Sequence, residues 1–163
     1  MELLKRIQEL LRTKDVTAEF ESDGELGFLA RTGPISVRIR INVRESAIIV
    51  TSFIPLFTPV QRRAAMCEAL SLANWQLRFV RFEMDAEDGE LRCRGDIPIY
   101  DGVLTDQQLT RLIYTVWNVT DRYAPALVEV MMGQSDPAIA IAQVEQRQTE
   151  PIRRKQTPDL TVN

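Results

Sequence analysis

Leu3, Leu4, Ile7, Leu10 and Leu11 recur at steps of three and four, with Lys5, Arg6, Glu9 and Arg12 between them. That spacing puts the apolar side chains on one side and predicts an amphipathic helix over about residues 2–13. The period then changes to two. Residues 16–22 and 25–31 read as strands around an Asp23-Gly24 turn, with Gly27 weakening the second. The clearest strand is 36–44, where Val37, Ile39, Ile41 and Val43 alternate with Arg38, Arg40, Asn42 and Arg44. Strict alternation means one buried face and one wet face. Arg44-Glu45-Ser46 turns the chain into a largely β-branched run, 47–54.

Thr58-Pro59-Val60-Gln61 has the form of a capping box with proline at the first helical position, so a helix is expected from there to about Asn74. It is rich in alanine (Ala64, Ala65, Ala69, Ala73). Small side chains fit two readings: high helix propensity with thin contact to a sheet, or a helix pressed between the sheet and a partner subunit. Strands are expected over 75–84 and 90–97. A second capping box, Thr105 to Gln108, opens a long helix carrying Leu109, Leu112, Ile113, Val116, Trp117, Tyr123, Leu127, Val130 and Met131. Trp117 reads as a core anchor, and Tyr123 as a hydroxyl available at a subunit boundary. Pro125 should kink or divide this helix, and Gly133 should stop it.

Composition shifts after Gly133. The expected organisation is an α+β domain over 1–133 and a C-terminal tail over 134–163. In that tail a short helix from Asp136-Pro137 to about Arg147, with Ile139, Ala140 and Val144 as contacts, precedes a polar end holding Arg153-Arg154-Lys155. A chain of 163 residues buries roughly 70% of its unfolded surface and needs no disulfide or metal staple. Net charge is −3, so no global field draws it to nucleic acid or anionic lipid. Charge at Glu2, Lys5 and Arg6 interrupts any signal-peptide core, and no apolar run approaches a membrane span. A cytoplasmic location is expected.

The chain has no histidine, which removes Ser-His and Cys-His devices and the usual neutral-pH base. Cys67 and Cys93 have no CxxC spacing and read as small core residues. Asp85-Ala86-Glu87-Asp88-Gly89-Glu90 packs four carboxylates into six positions. A calcium loop of EF-hand type needs one more residue before its glycine, and helices rather than strands beside it. The stretch reads as a hairpin turn. No catalytic, cofactor-binding or metal-binding residue is assigned, and the chain is expected to be no enzyme.

Arginine outnumbers lysine 17 to 3. Alternation places Arg38, Arg40 and Arg44, together with Arg81, Arg92 and Arg94, on the wet face of the sheet. They fit cross-strand ion pairs with Glu19, Glu21, Glu83 and Glu90. They also fit guanidinium groups recognising carboxylates or an extended chain. An RNA-binding sheet would add stacking aromatics there, and alternation puts Phe82 on the apolar side instead.

The order helix, strands, helix, hairpin, helix favours an antiparallel sheet with helices on one face. Leu72-Ala73-Asn74 closing a helix, the strand end Phe82-Glu83-Met84-Asp85, Gly89-Glu90-Leu91-Arg92-Cys93 and the helix end Val130-Met131-Met132-Gly133 together resemble the YbjN family of bacterial sensory transduction regulators. The resemblance spans about residues 1–133. It implies a fold like that of the type III secretion chaperones, commonly dimeric, and transfers no site residue.

The expected function is a homodimeric, non-enzymatic protein-binding module with a regulatory or chaperone-like role. Arg38, Arg40, Arg44, Arg92 and Arg94 are its candidate partner-binding residues, with no nucleic acid and no membrane as partner. The alternative is a sensor binding a small anionic metabolite between helix and sheet.

Overall fold

In the computed structural model, residues 1–32, 35–44, 47–99 and 104–149 are described. They run α1 (Glu2–Arg12), β1 (Glu19–Ser22), β2 (Glu25–Thr32), β3 (Ile35–Arg44), β4 (Ala47–Phe57), α2 (Arg63–Gln76), β5 (Val80–Met84), β6 (Glu90–Pro98), α3 (Asp106–Met131) and α4 (Pro137–Thr149). The strands form one antiparallel sheet in the order β1-β2-β3-β4-β6-β5. Leu26, Phe28 and Ala30 of β2, Val37, Ile39 and Ile41 of β3, Ile48, Val50 and Ile54 of β4, Leu91 and Cys93 of β6 and Val80 and Phe82 of β5 are all buried. Their side chains meet α1, α2 and α3, which pack on that side. The opposite side carries the arginines. The expected α+β class and one-sided roof are therefore present.

Several local expectations differ. The first capping box does not form: Thr58 Oγ1 is buried without a hydrogen bond, and a 3-10 turn over Val60–Arg62 precedes α2. Thr58 N–H instead donates to Gly89 O at 2.8 Å, pinning the end of β4 to the β5–β6 hairpin. The second capping box is complete, with Gln108 N donating to Thr105 Oγ1 and Thr105 N to Gln108 Oε1. α3 continues through Pro125, whose ring faces solvent. Gly133, at φ +73°, ends it as expected, with Gln134 N–H reaching back to Glu129 O and Gly133 N–H to Val130 O.

The expected strand 75–84 begins only at Val80, because Trp75 and Gln76 finish α2. Asn74 makes the reason visible. Its Nδ2 donates to Phe82 O at 3.0 Å and its Oδ1 accepts from Phe82 N at 2.8 Å. β5 is an edge strand, and its outward backbone would otherwise offer an open template for another chain. The Asn74 amide stands in for the missing neighbour at the strand's centre.

α4 changes the reading of α2. It packs on α2 and α3 through Ala140, Ile141 and Val144, while Ile139, an expected contact, is exposed. α2 meets the sheet mainly at β5, in keeping with the expected thin contact, and it also receives a helix of the same chain, α4. Tyr123 is fully buried and its hydroxyl bonds Glu145 Oε1 of α4, so it serves an internal joint and not a subunit boundary. Arg62 Nε and Nη2 both donate to Val130 O, joining the start of α2 to the end of α3. Trp117 anchors α3 as expected: it stands edge-on to Phe28, and its Nε1 donates to Arg31 O at 3.2 Å. The Arg153-Arg154-Lys155 end lies outside the described residues.

Replacing Asn74 by Ala strips both backbone groups of Phe82 of their partner. Urea unfolding should show a loss of about 1–3 kcal/mol. The variant should also self-associate more readily than wild type on heating, measured by light scattering.

Candidate functional site

The open face of the sheet is built from alternate residues of five strands. Pairing aligns Leu29, Arg38, Phe53, Arg92 and Glu83 in one row across β2, β3, β4, β6 and β5. The next row holds Gly27, Arg40, Thr51, Arg94 and Arg81. Four of the expected site residues, Arg38, Arg40, Arg92 and Arg94, therefore share two neighbouring rows. Arg44 sits at the end of β3 and has no ion pair among the described residues.

Glu21 is central to one cluster. Arg38 Nε donates to its Oε1 at 2.6 Å, with Arg38 Nη2 at 2.5 Å. Arg40 Nε lies 3.0 Å from Glu21 Oε2 and 3.3 Å from Glu25 Oε1, in contacts too misaligned to be hydrogen bonds. Gly27 makes room: a Cβ there would stand 1.9 Å from Glu21 Oε1. The glycine that weakens the strand pattern is thus the seat of a carboxylate. Glu83 anchors the second cluster, accepting from Arg81 Nε and Arg92 Nε at 2.8 Å each. Arg81 also donates to Asp96 at 2.9 Å, and Arg94 lies 3.8 Å from that group. The expected cross-strand pairing is present for Glu21 and Glu83. Glu19 and Glu90 have no ion pair among the described residues, and Glu25 and Asp96 take part instead.

Burial pushes the Glu21 carboxyl up, but the Arg38 hydrogen bond and the charges of Arg38 and Arg40 outweigh it and hold it below the usual range. Glu83 behaves alike: burial raises it, while Arg92 and Arg81 lower it further. The Asp96 hydrogen bond raises Arg81.

Three side chains of this face escaped the sequence reading. Leu29 is 68% exposed, Phe57 is exposed, and Phe53 lies half-buried with the Arg40 guanidinium 5.1 Å from its ring centre. β4 is apolar on both faces, so its own alternation carries no signal; only pairing with Arg38 and Arg92 turns Phe53 outward. An aromatic does stand on the wet face, contrary to expectation, yet Arg40 covers it.

The acidic stretch is a five-residue turn between β5 and β6. Asp85 accepts from Glu87 N and Asp88 from Glu90 N, both at 2.8 Å, so two of the carboxylates shape the loop. Gly89 adopts φ +84°, and a Cβ there would stand 2.3 Å from Thr58 O. Arg63 donates to Ala86 O and Glu87 O, holding the loop from α2. Among the described residues no cluster of three or more His, Cys, Asp or Glu could hold a metal. Cys93 is buried, and desolvation pushes its thiol up to about 12, which keeps it protonated and unreactive. Cys67, expected in the core, is exposed on α2. On the helical side, Trp75 is 86% exposed, with Phe79 and Leu72 also in solvent. Beside Phe79 a groove of about 240 Å³ is lined by Ile97, Leu112, Gln108, Thr115, Arg111 and Asp96.

Because Glu21 and Glu83 titrate below their ordinary value of 4.5, each adds stability that is complete above it and disappears as pH falls through the lowered value. Between about pH 5 and about pH 3 the melting temperature should fall more steeply for wild type than for Glu21→Gln/Glu83→Gln. Parallel curves would remove these carboxylates from the stability of the face.

Among the described residues, no helix is long and apolar enough to cross a membrane. No curated protein matches this chain in sequence. Among solved structures it is similar to YbjN from E. coli, described as "a putative transcription regulator", at 13% identity and a TM-score of 0.57. The match covers 89% of this chain and 93% of that one, and at this identity it shows the fold alone. The family model described as "Putative bacterial sensory transduction regulator" matches residues 3–129, from α1 almost to the end of α3, and so the chain belongs to the YbjN family.

Proposed function

We propose that this protein is a non-enzymatic, homodimeric binding module that recognises another protein through the open face of its sheet, in a regulatory or chaperone-like role. The observation that carries the reading is the one-sided roof: α1, α2 and α3 pack on one side of the sheet, α4 packs on α2 and α3, and the arginine rows face away from them. The family description supports a regulatory role at that general level. Ionic groups paired at the surface contribute only about 0–1 kcal/mol each to stability, so a two-row array of them adds little to the fold itself. A cytoplasmic setting belongs to the same reading.

For a second copy the outer edge of β5 is capped by Asn74, while α2, beside its contact with α4, leaves Ala64, Cys67, Glu68, Ser71, Leu72 and Trp75 in solvent. Leu72, Trp75 and Phe79 are exposed together at the end of α2, besides Val60, Met132 and Ile139 elsewhere on the helical side. Light scattering at micromolar concentration should show a dimer that Trp75→Ser weakens; a strict wild-type monomer would take the dimer out of the reading.

Proteins co-purified from the native host should be lost on Arg38→Glu/Arg40→Glu/Arg94→Glu, with circular dichroism unchanged. Retention of every partner by the folded variant would refute the reading.

The groove beside Phe79 supports a second reading, an anionic ligand held between helix and sheet. Its apolar lining is Phe79, Ile97 and Leu112, and Arg111, which also lines it, has no ion pair among the described residues. One compound in a panel of small carboxylates and phosphates should raise the melting temperature of wild type and not of Arg111→Ala; at 100 times Kd the gain is about 2.7 kcal/mol.

A further inference from the structure

Resting on the open-face reading, we infer that the segment this face receives is acidic and carries apolar side chains among its carboxylates. The first observation is vertical order. The side chains of Arg38, Arg81 and Arg92 are 46%, 45% and 39% exposed, while Glu21 and Glu83 beneath them are 16% and 24% exposed. Each of these carboxylates serves two arginines. At Glu21 and Glu83 the acids are sunk and the guanidiniums lie above them, so a molecule approaching these two clusters meets N–H donors first; the Arg94–Asp96 contact, 31% against 36% exposed, has the opposite order. A guanidinium has five such donors in a planar fork, and contacts through Nε leave others free for an incoming carboxylate. Arg31, next to Leu29 on the same side of β2, has no ion pair at all among the described residues.

The second observation is the apolar content. Neighbouring strands lie about 4.8 Å apart. Along the row Leu29, Arg38, Phe53, Arg92, an apolar group therefore alternates with a cation every ~5 Å. Exposed Phe57 extends the apolar part along β4.

The third is the near balance of charge. Arg31, Arg38, Arg40, Arg44, Arg81, Arg92 and Arg94 face Glu19, Glu21, Glu25, Glu83, Glu90 and Asp96 across the whole surface. Seven cations against six anions give a field too weak to hold a bulk polyanion, whose affinity depends on releasing counterions from unpaired cations. Arg40 covers Phe53, which leaves Phe57, at the end of β4, as the one uncovered aromatic of this face among the described residues, too few to stack successive bases. Burial of apolar groups on Leu29 and Phe57 supplies the attraction, and the guanidinium layer selects acidic neighbours and fixes their register.

The test is fluorescence anisotropy on the full chain, with four labelled probes: a short peptide alternating Glu and Leu, its Lys–Leu and Glu–Ser counterparts, and a single-stranded oligonucleotide. The Glu–Leu peptide should bind, weaken with added salt, and lose roughly tenfold in affinity in Arg31→Glu and in Leu29→Ser. Arg31 makes no ion pair among the described residues, so its replacement tests the face without disturbing the Glu21 cluster. No binding of the Glu–Leu peptide, equal binding of the Glu–Ser peptide or oligonucleotide, or preference for the Lys–Leu peptide would each overturn the inference. The two ideas fail separately. Host partners lost on Arg38→Glu/Arg40→Glu/Arg94→Glu, with no Glu–Leu binding, leave the open-face reading standing and remove only the acidic partner.

Discussion

Burial of alternate residues on one side of the sheet is the constraint from which the other features follow. Val37, Ile39 and Ile41 are wholly withdrawn from water, as are Leu26, Val50 and Leu91 on neighbouring strands. Burying such a side chain contributes about 1.5–3 kcal/mol. A slip of one residue in β3 or β6 would exchange this layer for arginines. The register that buries the isoleucines is therefore the same register that lines up Arg38 with Arg92 and Arg40 with Arg94. The ionic face is a geometric consequence of the core.

Within that frame, two small residues do disproportionate work. Gly27 leaves the space into which Glu21 folds over β2, and without it the carboxylate could not reach both Arg38 and Arg40. Asn74 closes the outer edge of β5 with a side-chain amide that copies the hydrogen bonding of a strand. One residue opens the face to charge, and the other shuts an edge to aggregation. Both act through the backbone of a neighbouring strand.

α4 adds a further layer on the helical side. It begins beyond the residues matched by the family model and buries its Ala140, Ile141 and Val144 as it packs on α2 and α3. The bond from Tyr123 to Glu145 ties it to the long helix α3, which itself crosses the sheet from β2 to β6. The helical side thus gains a second layer, with Leu72, Trp75 and Phe79 among the apolar side chains it leaves in solvent, whereas among the described residues the sheet's other surface is covered only by its own ion pairs.

Periodicity alone determined the α+β class, the one-sided sheet, the outward direction of Arg38, Arg40, Arg92 and Arg94, and the turn at Asp85–Glu90, because each depends on local alternation or loop chemistry. The long helix, its cap at Thr105 and its stop at Gly133 were legible for the same reason. Tertiary structure decided what local pattern leaves degenerate. Trp75 suits a strand by propensity, but Asn74 needs helical geometry to reach Phe82, so the helix extends through it. Phe53 lies in a strand apolar on both faces, and only pairing with β3 and β6 could turn it outward. Small residues on α2 announce close approach without naming the approaching element, and the partner was α4, about 70 residues further along the chain. Contacts between distant segments leave no mark in either segment's own period.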